Sequence, residues 1–159
     1  MTEPNKPLEQ MTAQERLDLG ISYLGESRFD KAIGALSSIR REEADPETYA
    51  RAQLNLGAAY YAQSELDQSI EALSSIRREE ADPETYADAQ FNLGAAYAKS
   101  GKREQSIEAL SSIRREEADP ETYADAQFNL GAAYAKSGKR EQSIEALSSI
   151  RREEADPET

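Results

Sequence analysis

Apolar and small side chains recur along this chain at helical rather than strand spacing. Within residues 82–118, Tyr86, Ala89, Leu93, Ala96 and Tyr97 keep the three-and-four interval of one helical face. Asp82 suits the N-cap, Pro83 the first helical position, where a missing N–H costs nothing, and Glu84 the positive end of the helix dipole. Ser100 and Gly101 predict the stop. A second helix is predicted over Arg103–Arg115, with Ile107, Leu110 and Ile113 as a narrow apolar stripe and charges on the opposite face.

The pattern repeats. SSIRREEADPET begins at Ser37, Ser74, Ser111 and Ser148, each 37 residues after the last, and Gln68–Thr122 recurs without a difference as Gln105–Thr159. Such identity marks recent duplication or homogenisation, or assembly by design, because independent drift would not leave it. Neither helix, nor the pair, can bury enough surface to be stable alone. Stacked pairs can, because each covers its neighbour's stripe, which is the physical logic of a solenoid. A coiled coil is the structural competitor, but Pro and Gly in every unit interrupt any long heptad seam.

These residues resemble the tetratricopeptide (TPR) repeats, helix-turn-helix units of 34 residues with an L-G-x-x-Y signature. The signature stands at Leu19–Tyr23, Leu56–Tyr60, Leu93–Tyr97 and Leu130–Tyr134, and Arg28–Ile33 is similar to the opening of a second TPR helix. The resemblance covers about residues 12–152 and implies an all-α, right-handed α-solenoid of four stacked antiparallel helix pairs, about 12–44, 45–81, 82–118 and 119–152. Residues 1–11 are expected to be a flexible tail, and 153–159 the truncated start of a further repeat. Each unit exceeds the family norm by three residues, an excess expected within IRREEADPETYA. Ser69, Ser106 and Ser143 replace a small Ala, and Arg103 and Arg140 an aromatic.

The resemblance also implies a peptide-binding groove along the inner face of each first helix. Carried over position by position, that face presents Leu17, Leu54, Phe91 and Phe128 as an apolar row, with Arg51, Asp88 and Asp125 beside it. Asn55, Asn92 and Asn129 take a position that often bonds a ligand backbone in the family, Lys99 and Lys136 close the same helices, and Ala58, Ala95 and Ala132 leave room for a chain. The Phe and Ala do not reproduce the carboxylate clamp of chaperone-binding relatives. A ligand with apolar side chains, and basic ones to meet Asp88 and Asp125, is expected.

Composition narrows the chemistry. Among 159 residues there is no Cys or His, which removes thiolate and imidazole catalysis and the commonest transition-metal ligands. No enzyme activity, cofactor or metal is expected. The net charge of −12 repels phosphate backbones and anionic lipid, so neither nucleic acid nor membrane is an expected partner. No apolar run approaches the roughly 20 residues of a span, and the first ten residues lack a signal peptide's pattern, so the expected location is the cytoplasm. Arg40–Glu43 and its later copies read as a solvated charged segment. Gly20, Gly57, Gly94 and Gly131 lie inside predicted helices, where Gly costs about 1 kcal/mol against Ala, so close helix packing is expected there. Tyr23, Tyr60, Tyr97 and Tyr134 are expected between the helices of each pair.

The two ends differ. Thr12–Glu15 forms a capping box that starts a helix, whereas Asp156–Thr159 begins a helix that is not continued. Ile144, Leu147 and Ile150 are therefore expected to stay partly open and to support head-to-tail self-association. The expected function is a non-catalytic scaffold that binds a protein or peptide segment on its concave face. The rival reading is a structural or engineered array that stacks end to end without a groove ligand.

Overall fold

A computed structural model describes the backbone of residues 3–155 and the side chains of residues 3–150. Four antiparallel helix pairs follow one another: α1 (Ala13–Gly25) with α2 (Phe29–Ser37), α3 (Pro46–Ala62) with α4 (Leu66–Ser74), α5 (Pro83–Lys99) with α6 (Arg103–Ser111), and α7 (Pro120–Lys136) with α8 (Arg140–Ala155). Among the described residues there is no strand, and the whole is the α-solenoid expected of stacked pairs. Helices α3, α5 and α7 start at Asp-Pro, with Asp45 and Asp119 accepting from the amides of Thr48 and Thr122, each at 3.0 Å, while Asp82 holds the N-cap position without a side-chain cap bond and α1 starts at the Thr12–Glu15 capping box. Each pair turns through one left-handed residue, Gly101 (φ 77°) and Gly138 (φ 73°) in the later units. Ser27 and Ser64 hold the same position at φ 57° and 61°, a conformation that costs a side chain strain.

Within each pair the glycine expected to permit close packing does so. A Cβ built on Gly94 would lie 2.7 Å from Leu110 Cδ2, and those on Gly20, Gly57 and Gly131 would meet Leu36, Leu73 and Leu147 at 2.4–2.8 Å. The serines that replace the family's Ala span the same contact. Ser69, Ser106 and Ser143 each donate a 2.8 Å bond to the carbonyl of Gly57, Gly94 or Gly131, so the hydroxyl is satisfied although the residue is buried.

Three apolar cores hold the units together, and each lies across a junction. The first joins Leu17, Ala32, Leu36 and Ile39 to Ala52, Leu56 and Ala59; the second joins Ala50, Leu73 and Ile76 to Ala89 and Leu93; the third joins Ala87, Leu110 and Ile113 to Ala126 and Leu130. Tyr60, Tyr97 and Tyr134 pack against these junction cores, so their role extends beyond their own pair.

Two expectations are corrected. The second helix of the third unit stops at Ser111 rather than Arg115. The charged segment that follows is not merely solvated, because it latches consecutive units. Arg78 lies over the Tyr86 ring at 4.4 Å, donates to the Ser112 carbonyl at 3.0 Å and pairs with Glu117. Arg41 does the same one unit earlier, over Tyr49 at 4.5 Å, onto the Ser75 carbonyl at 3.1 Å and to Glu80. These guanidiniums satisfy carbonyls that a helix end leaves open, and the tyrosine face shields them from water. At the Ser38 carbonyl of the first unit a different arginine takes this part. There Arg16, from α1 itself, reaches the Ser38 carbonyl and Glu43, each at 3.1 Å.

A 3-10 turn at Leu8–Gln10 leads into α1, Leu8 and Met11 pack on the first core, and Glu3 pairs with Arg28 at 2.9 Å and Lys31 at 3.5 Å. At the other end, α8 runs through Ala155, so the segment expected to begin a further repeat opens as helix, and residues 156–159 lie outside the described residues.

The Gly94–Leu110 contact generates a test. Leu110 is 2% exposed and held in the third core, so it cannot swing aside for a new methyl group. Gly94→Ala is expected to lower the unfolding free energy by about 1–3 kcal/mol in urea titrations, despite the better helix propensity of Ala. In a Leu110→Ala background the same change should cost clearly less.

Candidate functional site

A groove of about 490 Å³ runs between α5 and α7, with Tyr61 of α3 at its edge. Its lining includes Ala95, Ala98 and Lys99 from α5, Arg103 and Ser106 at the start of α6, and Asn129, Ala132 and Lys136 from α7. A smaller continuation of about 110 Å³, lined by Gly57, Ala58, Tyr61, Asn92 and Ala95, extends it towards the second unit. The alanines open the space as their size implies. Small side chains on helices facing each other across a gap leave backbone and polar termini within reach of a ligand chain.

The cations define the groove's electrostatics. Lys99 Nζ lies 4.8 Å from the Tyr61 ring centroid, and Arg103 donates to the Lys136 carbonyl at 3.3 Å, at the C-terminal end of α7. Among the described residues no carboxylate lines either part. An acidic protein thus presents a groove edged by Lys99, Arg103 and Lys136.

The sequence-predicted site residues divide between this groove and the junctions. Asn92, Lys99, Asn129 and Lys136 line the groove. Asn55 is partly exposed and turns its amide to the Arg51 carbonyl of its own helix at 2.7 Å. Arg51 and Asp125 are exposed and line neither part of the groove. The apolar row is corrected. Leu17 is fully buried in the first core, Leu54 packs against the second, and Phe91 against the third. This row is a stacking surface because each member is covered by the unit that follows. Phe128 lies on α7 beyond that cover and is 61% exposed. With Ile144 (54%) and Leu147 (40%) it makes up the large apolar side chains exposed among the described residues, while Ile150 is half-buried. Sequence reasoning missed Tyr61 and Arg103. Tyr61 carried a signal, since it is the one aromatic at a position held by Leu24, Ala98 and Ala135 in the other units.

Asp88 also belongs to a junction. Thr122 of the next unit donates to its Oδ1 at 3.4 Å, as Thr48 does to Gln14 Oε1 across the first junction. At the second junction Arg51 takes this place, and Glu47 instead accepts from Thr85 Oγ1 and from the Asp82 amide, both at 2.7 Å. Burial, then the nearby charges of Asp119 and Glu84, push the Asp88 carboxyl above its ordinary value, whereas the hydroxyl and amide of Thr122 hold Asp119 below it. A raised carboxyl pKa means that the charged form opposes folding above that pKa, and that this penalty fades as pH falls through it. A depressed one has the opposite sign, so the Asp119 cap contributes above the ordinary range and is lost in acid. Asp88→Asn is therefore expected to melt higher than the parent at pH 7, with the difference shrinking towards zero as pH drops through the carboxylate range. Thermal melts across that range check it, and a lower melting point for the variant at pH 7 would contradict the assignment.

The tetratricopeptide repeat family model matches residues 17–85 and again 91–158. No curated protein sequence matches at a significant level. Among solved structures, a crystal structure of MamA is similar with a TM-score of 0.74 and 25% identity, over 90% of this chain and 78% of that one. A Podosopora anserina putative kinesin light chain with nearly identical TPR-like repeats is similar with a TM-score of 0.68 and 19% identity, over 98% of this chain and 80% of that one, a likeness of fold alone. Four L-G-x-x-Y signatures, four stacked pairs and a family match over most of the chain agree: the chain belongs to the tetratricopeptide repeat family.

Proposed function

We propose that this chain is a protein-interaction scaffold without chemistry of its own, and that the groove between α5 and α7 takes an extended, carboxylate-bearing segment of a partner protein. The observation that carries this reading is the groove's charge: Lys99, Arg103 and Lys136 edge it, and among the described residues no carboxylate lines it, in a protein of net charge −12. The flanking Asn92 and Asn129 offer paired donors and acceptors to a peptide backbone, and Tyr61 offers an aromatic face. This reverses the basic ligand expected from Asp88 and Asp125, because Asp88 faces a junction and Asp125 lies outside the groove. Opposite charges across such a surface steer encounter and set the partner's identity more than they add raw affinity.

A second reading, end-to-end association, is favoured by the exposed Phe128, Ile144 and Leu147. These side chains lie outside the groove lining, so the two readings are separable.

Fluorescence anisotropy with a labelled peptide of alternating Glu and Ala tests the first. The expected result is saturable binding that weakens with salt, is lost with a Gln-for-Glu peptide, and drops roughly tenfold, or about 1.4 kcal/mol, in Lys99→Glu/Lys136→Glu. Equal binding of the Gln peptide, or no binding by the parent chain, would overturn the acidic-ligand assignment.

A further inference from the structure

Near-identical repeats pose a problem of register for a ligand laid along them, because each unit offers the same contacts as the next. The groove between α3 and α5 is built from the same positions as the groove between α5 and α7. Ala58 and Tyr61 stand on α3 where Ala95 and Ala98 stand on α5, and Asn92 takes the place of Asn129. What fills those positions differs. The second unit departs from the third only between Arg51 and Asp67, and most of the changes fall in residues 61–67, where α3 ends and α4 begins.

Three of these changes bear on the grooves. Ala62 stands in place of Lys99 and Leu66 in place of Arg103, so the α3–α5 groove lacks two of the three cations that edge its neighbour. Its remaining counterpart cation is Lys99, in the place of Lys136. Lys99 lines the α5–α7 groove instead, with its Nζ 4.8 Å from the centroid of the Tyr61 ring. Tyr61 itself replaces the small Ala98, and the space between the helices is about 110 Å³ beside it against about 490 Å³ in the next groove. In the turn after α3 the exposed Glu65 replaces Lys102. A carboxylate therefore meets three cations in one groove. In the other it meets a narrow slot of alanine and aromatic surface followed by a like charge.

We propose that Tyr61, Ala62 and Leu66 set the register of the partner segment: they confine its acidic residues to the α5–α7 groove and leave the α3–α5 groove to one apolar side chain of the same segment. The element recognised is thus bipartite, an acidic stretch adjoined by a single apolar residue that packs on Tyr61, Ala58 and Ala95. This rests on the acidic-segment reading above and adds an address to it. Tyr61 acts twice, by narrowing the second groove and by giving Lys99 a ring face that holds this cation at the boundary between the two. Unbroken repetition supplies no such stop, since Ala98 and Ala135 leave both effects out.

Residue-resolved amide shifts in the full chain, titrated with the end-blocked tripeptide Glu-Ala-Glu, about 10 Å long when extended, test this. In the parent, shifts are expected at 95–103 and 129–136 and not at 57–66. Changing Tyr61→Ala, Ala62→Lys and Leu66→Arg together gives the second groove the residues of the third unit, and shifts should then appear at 57–66 as well. Ala62→Lys alone, at an exposed position, should produce part of the same change and stands in if the triple variant folds poorly. Adding Leu to one end of the peptide should tighten binding to the parent at least roughly threefold, with new shifts at 57–61, and adding Glu there should not. Shifts at both grooves in the parent, or none at 57–66 in either variant while the parent binds, would overturn the register assignment. If a Leu at neither end tightens binding, the apolar subsite is overturned. Absence of shifts with every peptide would instead remove the acidic-segment reading, and this inference with it.

Discussion

Everything in this array depends on how closely the two helices of a pair approach. Leu36, Leu73, Leu110 and Leu147 sit where the Cβ of any other residue at Gly20, Gly57, Gly94 or Gly131 would have to be. That contact sets the spacing within each pair, and the spacing decides which side chains are left to face the next unit. The glycine costs about 1 kcal/mol as a helix residue and is retained because the buried leucine needs its space. In three of the four pairs a serine hydroxyl on the glycine carbonyl fixes the register of the same contact. With the pair set in this way, Ala52, Ala89 and Ala126 can lie flat against the preceding unit at zero exposure.

The second level of order is between units, and it is both apolar and ionic. Each core crosses a junction, and the first two links place Arg41 and Arg78 on a tyrosine face, a helix-end carbonyl and a glutamate of the next unit. Stability in such an array is a sum of unit terms and nearest-neighbour terms. The same residues take different conformations in the two copies, as the continuous α8 and the shorter α6 do. Lys99, Arg103 and Lys136 give the groove its sign.

What was legible in the residues was the local chemistry. Asp-Pro starts, the Ser-Gly stop, the glycine approach and the number of pairs all follow from caps, periodicity and repetition. The end of the second helix was not legible, because Ile113 prolongs the apolar stripe past Ser111, where the helix stops. Leu17, Leu54 and Phe91 were assigned to the groove although they stack, since a first helix carries two inward faces and identical repetition marks both alike. Asn92, Asn129, Lys99 and Lys136, reached through family resemblance, line the two cavities beside α5 and α7. Tyr61 and Arg103 needed the structure, because only there do residues from three different helices meet.

The central claim is that neighbours, not sequence, determine the local stability of each unit. The identical stretches Gln68–Thr122 and Gln105–Thr159 allow a direct measurement by residue-resolved native-state hydrogen exchange. The account predicts that amides of α4 and α5 are protected by a larger opening free energy than the amides of the same residues in α6 and α7, whose unit has one fewer unit beyond it. Equal protection at matched positions would contradict it.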